Sequence, residues 1–496
     1  MTALLAAALS GIMVYLSQGY GDVWVLVWFA PVPLLWLAYG NTPTWRVMAA
    51  SAVAILGGTS YILQSPYLHL IPPLVIGVSL VVFTALFCGA VWFARHVQRR
   101  ASPLLTLFAF PACWTALEFL MQLRSSNGTY GSLAYSTLAA PVLVQSASLF
   151  GMYAVTFLIC LFANTFAMAL RPKRDAAVAI GVGLAICAAN VVFGMVRLDR
   201  PQPDTLRVAA IVDATAEGEA WRAQSLPAYL KVTETYARDI RLAAREGAKF
   251  VVTSEGDMAS IPALQSAIIA PLVAASKDTG AQIIAGFHSQ APEADFALSI
   301  APDGSVQRYD KRHPVPGIED RFTPGRAPGW LGGGRAMEIC KDMDFPDTIR
   351  SDAVRGISVM GVPAGDKGID GWQHGIMSVM RGIEGGFAMV RSAHEGLEIV
   401  SDAEGRLIGL KEDAPTGLTM TVADVPLGTG PTLYARIGDV FPWMCVLGSL
   451  MLGAGTARRW FVRRGMPSAQ ESHTHTLSRS DDPSGSRRAQ TSPGGH

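Results

Sequence analysis

Three residues in the polar part of the chain have the side-chain types that thiol-based acyl chemistry requires. Glu255 supplies a carboxylate to take a proton, Lys311 an ammonium to steady negative charge, and Cys340 a thiol to attack a carbonyl carbon. Each follows a short run that reads as a strand. Glu255 comes after Phe250-Val251-Val252-Thr253, and Lys311 after Gln307-Arg308-Tyr309-Asp310. Cys340 follows Ala336–Ile339 and precedes Lys341-Asp342-Met343-Asp344-Phe345-Pro346, which reads as a turn. A nucleophile at a strand end sits at one edge of a sheet, where backbone N–H groups of the turn can face a developing oxyanion. Taken singly, a Glu or Lys at a strand end is more often a solvated surface charge. A lone thiol is either inert or kept for its reactivity. Base, cation and nucleophile at three strand ends form a more pointed pattern.

The rest of the chain must position that group. Of 496 residues half are hydrophobic and 16% are charged, against a norm of roughly 25%. The charge is unevenly spread: only 14 of the 79 Asp, Glu, Lys and Arg residues fall in 1–200. This excludes a disordered chain, and a net charge of +1 gives no basic surface for nucleic acid. A helix needs about 20 apolar residues to cross a bilayer. Seven candidate spans precede residue 200, at 2–17, 23–39, 44–63, 70–94, 103–123, 141–170 and 176–197. An eighth lies at 438–454. The first lacks a basic start and further spans follow it directly, so a retained helix is expected rather than a cleaved signal. Cys88, Cys113, Cys160, Cys187 and Cys445 fall within spans, as ordinary apolar packing.

Basic clusters follow the fourth span (Arg95, Arg99, Arg100), the sixth (Arg171, Lys173, Arg174) and the eighth (Arg458, Arg459, Arg463, Arg464). The positive-inside rule then places the N-terminus in the cytoplasm and residues 201–437 outside. The expected organisation is a membrane domain at 1–200, an extracytoplasmic catalytic domain at 201–437, a last span at 438–454 and a basic, disordered cytoplasmic tail at 455–496. Within 201–437, strands are expected at Leu206–Val212, Phe250–Thr253, Ile283–Phe287, Phe296–Ile300, Ile357–Val362, Phe387–Val390 and Leu418–Val422. Helices are expected at 222–245, 262–277 and 374–385, so the outer segment reads as layered α/β.

At these residues the outer segment resembles the nitrilase, or carbon–nitrogen hydrolase, superfamily, which carries Glu, Lys and Cys in this order on an αββα sandwich. The matching strings are Ser254-Glu255, Tyr309-Asp310-Lys311-Arg312-His313 and Ile339-Cys340-Lys341-Asp342. Pro314-Val315-Pro316-Gly317-Ile318-Glu319 with Pro324-Gly325 resembles the segment after the family's Lys, and makes Glu319 its second glutamate. The whole layout resembles one branch, the apolipoprotein N-acyltransferases. Trp114, Glu118, Gly131–Ser136, Gln145, Gly151–Phe157 and Asn164 are similar to that branch's membrane signature. Gln373-His374, Arg381, Glu384 and Arg391 are similar to its closing motif, and Trp221 falls where the branch has a Trp near the acyl-chain entrance.

The resemblance implies an integral membrane enzyme of the bacterial cell membrane; no cofactor or metal is expected, since no metal-ligand spacing such as His-Glu-x-x-His occurs. Cys340 would carry a thioester, moving an acyl chain from a phospholipid donor to the N-terminal S-diacylglyceryl-cysteine of a lipoprotein acceptor. It further implies that Glu255 acts as base and that Lys311 and the Lys341 backbone N–H hold the oxyanion, with Asp342 beside them. Two other readings stay open. A membrane-anchored amidase would let water resolve the thioester, and the Lys341-Asp342 pair looks more like some soluble amidases. A non-catalytic lipid-binding or assembly protein would keep the triad unused. Glu118 is expected to meet a lipid headgroup, Arg124 or a structural hydrogen bond. Trp372-Gln373-His374 reads as a helix start, Gly332-Gly333-Gly334 as a turn, and His473 and His475 as polar filler in the tail.

Overall fold

The computed structural model describes every residue except 19–22, 67, 202–203, 217–224, 291, 369 and 466–496. Among the described residues six helices are long and apolar enough to cross a membrane: Thr44–Gln64, Pro73–Arg100, Pro103–Gln122, Met152–Leu170, Ala176–Leu198 and Val440–Arg458. Thr2–Gln18 is a shorter apolar helix packed on the first of these.

Three expected spans take a different form. Residues 23–39 divide into a 3-10 turn, Trp24–Trp28, and a short helix, Val32–Ala38. Pro31 and Pro33 withhold backbone donors there, so no continuous helix forms. The span expected at 141–170 begins only at Met152. Before it lie two four-residue turns, Pro141–Val144 and Ala147–Phe150, separated from it by Gly151 at φ +75°. A side chain at Gly151 would press on the Tyr434 ring, at 2.5 Å, so left-handed backbone and close approach both call for glycine. The last helix runs on to Gly465 rather than stopping at 454, since Thr456–Arg464 holds no Gly or Pro to end it.

The middle of the chain forms two sheets. The first contains β1 (Thr205–Asp213), β2 (Phe250–Thr253), β3 (Met258–Ser260), β4 (Gln282–Gln290), β5 (Glu293–Ile300) and β6 (Val306–Asp310). The second contains β7 (Trp330–Gly332), β8 (Arg335–Met337), β9 (Val359–Gly365), β10 (Ala388–His394), β11 (Leu397–Ser401) and β12 (Leu407–Glu412). The last strand, β13 (Leu418–Pro426), returns to the first sheet, giving the orders β13-β1-β2-β4-β5-β6, with β3 beside β4, and β12-β11-β10-β9-β8-β7. Val208, Phe250, Val252, Ile284, Ile339, Val359 and Val390 fill the space between the sheets.

Helices Leu226–Arg245 and Gln265–Thr279 cover the outer face of the first sheet through Tyr236, Ile240, Ile268 and Leu272. The second sheet is covered by Pro346–Ala353, which the sequence reading missed, and by Asp370–Gly385, which starts earlier than expected. The result is an αββα sandwich. Ile349, Ile376, Met380 and Ile383 of that second helical layer share one apolar cluster with Phe119 and Met152 of the membrane helices and Val144 of the turn before Met152. The layer that closes the sandwich is therefore also the surface that docks it on the bundle.

Strands β1, β2 and β4 run parallel, as do β8, β9 and β10. Two antiparallel steps, β4 to β5 and β5 to β6, bring β6 back into the direction of β4. The ends of β2, β6, β8 and β9 therefore meet at one edge, the usual place for a site in parallel sheets.

Candidate active site

At that edge the Lys311 ammonium lies among three carboxylates. Its Nζ is 2.6 Å from Glu255 Oε1, 2.8 Å from Glu319 and 3.1 Å from Asp295 Oδ2, with the side chain almost wholly buried. Asp295 was not singled out from the sequence. It stands opposite Lys311 across the β5–β6 hairpin, where the Lys311 N–H donates to the Asp295 carbonyl at 3.0 Å. The signal was available: counting outward from the Pro302-Asp303-Gly304 turn, Ile300 faces Val306 and Asp295 faces Lys311.

One ammonium cannot neutralise three neighbouring carboxylates, so the two buried ones, Glu255 and Asp295, are pushed in opposite directions. Burial raises the Glu255 carboxyl well above the ordinary range; Lys311 opposes this, and Asp295 and Glu319 reinforce it. Asp295 goes the other way: burial would raise it, but Lys311 and His288 outweigh burial and hold it ionised. Lys311 is raised well above its usual value, because the carboxylates overcome its desolvation. Glu255 is therefore the member able to take up and return a proton. Glu255, His288 and Asp295 also stand close enough to hold a metal ion. The Lys311 ammonium already contacts both acids, so the positive charge a metal would bring is in place.

Backbone contacts fasten the pieces. The Glu255 N–H donates to the Ala364 carbonyl at 3.0 Å, tying the end of β2 to the end of β9. Gly286 of β4 lets the neighbouring strand pass: a side chain there would come within 2.3 Å of the Ser254 carbonyl oxygen. Beside Ala364, the Gly365 carbonyl accepts from the Cys340 thiol at 3.5 Å. Glu319 is fixed by the Val315 N–H, which donates at 2.7 Å to Oε2, the oxygen that also lies 2.8 Å from Lys311 Nζ.

Cys340 lies just past β8 and begins a 3-10 turn, Cys340–Asp344, with φ +40°. A non-glycine residue in that region costs on the order of 1–3 kcal/mol and is found where surroundings enforce it. Burial raises the thiol well above its usual value and Glu255 adds to this, with Lys311 in partial opposition. The resting group is thus the thiol, and a base must act as it attacks.

Of the other predicted site residues, Asp342 is buried in the turn and accepts from the Arg312 N–H (3.1 Å), the His313 N–H (2.8 Å) and the Tyr309 hydroxyl (2.7 Å). It clamps the nucleophile's turn to the chain leaving Lys311. Lys341 points its side chain elsewhere, to Asp344 Oδ2 at 3.3 Å and Asn127 Oδ1 at 3.4 Å. Trp221 lies outside the described residues. Asp366, not foreseen, follows β9 and forms two 2.8 Å bonds with the Arg391 guanidinium, both groups fully buried.

The turn also touches the membrane part. Thr129, in the loop after helix Pro103–Gln122, donates its N–H (3.0 Å) and hydroxyl (2.8 Å) to the Asp344 carbonyl. Arg381 and Glu384 pair at 2.9 Å in the docking interface, where Arg381 reaches the Tyr135 hydroxyl and Glu384 accepts from the Met152 N–H. Glu118 takes the structural hydrogen bonds that were one of its expected roles. It is buried and accepts from the Ser132 and Thr156 hydroxyls at 2.6 and 2.8 Å. His374 lies in the first turns of its helix as a packing residue, 3.6 Å from Asp344 and against the Tyr130 ring.

Residues 10–165 match the family model described as apolipoprotein N-acyltransferase N-terminal domain. An apolipoprotein N-acyltransferase from Geobacter metallireducens is 26% identical over 92% of this chain and 95% of that protein. One from Vibrio vulnificus is 24% identical over 92% and 97%. Among solved structures, an amidase from Nesterenkonia sp. aligns with 52% of this chain and 98% of its own, at 20% identity and a TM-score of 0.39.

Proposed function

Because this chain resembles apolipoprotein N-acyltransferases over nearly its whole length, we propose that it is an acyltransferase of the bacterial cell membrane. It carries an acyl chain from a phospholipid, through a thioester on Cys340, to the α-amine of an S-diacylglyceryl-cysteine at a lipoprotein N-terminus. Glu255 takes the thiol proton as sulfur attacks the ester carbonyl carbon. The Lys311 ammonium and the Lys341 backbone N–H stabilise the oxyanion. Collapse breaks the C–O bond, and Glu255 returns the proton to the leaving lysophospholipid alkoxide. In the second half the amine attacks the thioester carbon, the C–S bond breaks, and the amine proton passes by way of Glu255 to the thiolate.

The observation that carries this reading is the contact between the nucleophile's turn and the membrane bundle, through Thr129 and Asp344. Both substrates are lipid-anchored, and a thiol held against the bundle meets their ester and amine at the interface. A donor chain need not leave the bilayer, which would cost ~0.8 kcal/mol per CH₂. The basic clusters after Arg95, Arg171 and Arg458 support placing this site on the extracytoplasmic side.

The test is mass spectrometry of a lipoprotein N-terminus from cells carrying the wild-type chain or Cys340→Ala. A third acyl chain on the amine is expected only with the wild type. A two-chain form in both would overturn the proposal, and release of ammonia or free acid without an amine acceptor would mark a hydrolase instead.

A further inference from the structure

At the end of helix Pro73–Arg100 remote from the triad's turn, a cavity of about 430 Å³ opens between three helices. Trp92, Arg95, His96, Arg99 and Arg100 of that helix line it, with Thr44 and Ala457 closing the sides. These positions fall on one face of the last two turns, so their charges converge. No carboxylate lines the cavity, and among the described residues none of its arginines forms an ion pair. The volume lies within the ~300–1,000 Å³ range of small-ligand clefts.

Part of this charge is built into the fold. The buried Arg95 guanidinium donates to the carbonyls of Ala38, Gly40 and Thr42, which fixes it beneath the cavity. Its Nε has no hydrogen-bond partner among the described residues. His96 is held between the Trp92 ring, 5.1 Å between centroids, and Arg100, whose Nη1 is 3.1 Å from Nδ1. Arg99 is exposed beside them. One basic residue would answer the helix's C-terminal dipole; a fixed arginine, two more arginines and an indole tilted against His96 around an open volume are suited to hold an anion.

We propose that this cavity binds the phosphate headgroup of an anionic membrane lipid. The arginines take the phosphate oxygens, and the exposed Trp92 ring lies at the boundary where headgroup meets acyl chain. The site is separate from the acyl-transfer chemistry and does not depend on it. Basic pockets between transmembrane helices are suited to such headgroups.

The test uses the full chain in mild detergent, incubated with phosphatidylglycerol, phosphatidylcholine or inorganic phosphate and read by native mass spectrometry. The wild type is expected to retain one phosphatidylglycerol under conditions that strip phosphatidylcholine. Arg99→Gln with Arg100→Gln should weaken retention roughly 30-fold, at about five-fold per arginine near an anionic surface. An unchanged melting temperature shows that the double variant is folded; if it melts lower, Arg99→Gln alone should still weaken retention about five-fold. Equal retention by wild type and folded variant would overturn the proposal. So would displacement of the lipid by millimolar inorganic phosphate, which would make the ligand a free anion.

Discussion

Asp342 accepts the His313 backbone N–H at 2.8 Å and lies 3.0 Å from the same residue's Nδ1. The chain that has just delivered Lys311 is thereby fastened to the turn that carries Cys340. Asp342→Ala would strand several buried donors, each costing about 1–3 kcal/mol. The expected outcome is a lower melting temperature together with slower alkylation of Cys340 by iodoacetamide. Asp342→Asn, which keeps an acceptor oxygen, should recover part of both. Unchanged alkylation by the alanine variant would show that the clamp does not position the thiol.

Glu255 is raised by burial, which Lys311 opposes and Asp295 and Glu319 reinforce. A base works only when deprotonated, so acylation should speed up as pH rises through a value above the ~4.3 of a free glutamate. Glu255→Gln should lower single-turnover acylation ~10²–10⁴-fold. Any rate left should lack that rising limb. A limb that survives in the variant would assign the titration to another group.

His374 reports on the junction between sandwich and bundle. Burial lowers it, but the bond and charge of Asp344 prevail, and its net shift is upward. A histidine raised in the folded state adds stability that is complete below ~6.5, its unfolded value. That stability is lost as pH rises through the folded value. The melting temperature of the wild type should therefore fall more than that of His374→Gln across this range. Parallel curves would contradict the coupling.

The strand end before Glu255 was legible because it closes an apolar run, Phe250–Thr253, too short for a helix and too hydrophobic for a loop. The run before Lys311, Gln307-Arg308-Tyr309-Asp310, is polar and offered less to go on. Asp295 was less visible: its partnership with Lys311 exists only through hairpin register, and one acid beside an apolar run announces nothing on its own. The break before Met152 was hidden because Pro141–Phe150 is apolar throughout, and what interrupts it is the fit of Gly151 against Tyr434, nearly 300 residues away. Helix Pro346–Ala353 was obscured by polar residues that face the Lys311 chain, as when Asp352 pairs with Arg312 at 2.9 Å.

Arg381 and Glu384 are buried together where the sandwich meets the bundle. Removing one member leaves the other's charge uncompensated, at about 3–5 kcal/mol. Glu384→Ala should lower the melting temperature and expose the junction to protease. Arg381→Met with Glu384→Met should recover much of that stability, because neither charge is then stranded. If the double variant is as unstable as the single one, packing rather than charge pairing holds the junction.

Acylation of Cys340 tests the central claim most directly. The full chain would be incubated with phospholipid vesicles and digested, and the Cys340 peptide weighed. The expected peptide carries one acyl chain, loses it to hydroxylamine, and loses it again to a synthetic S-diacylglyceryl-cysteine peptide that gains the same mass on its amine. A Cys340 peptide that stays unmodified while the acceptor peptide is still acylated would contradict the mechanism.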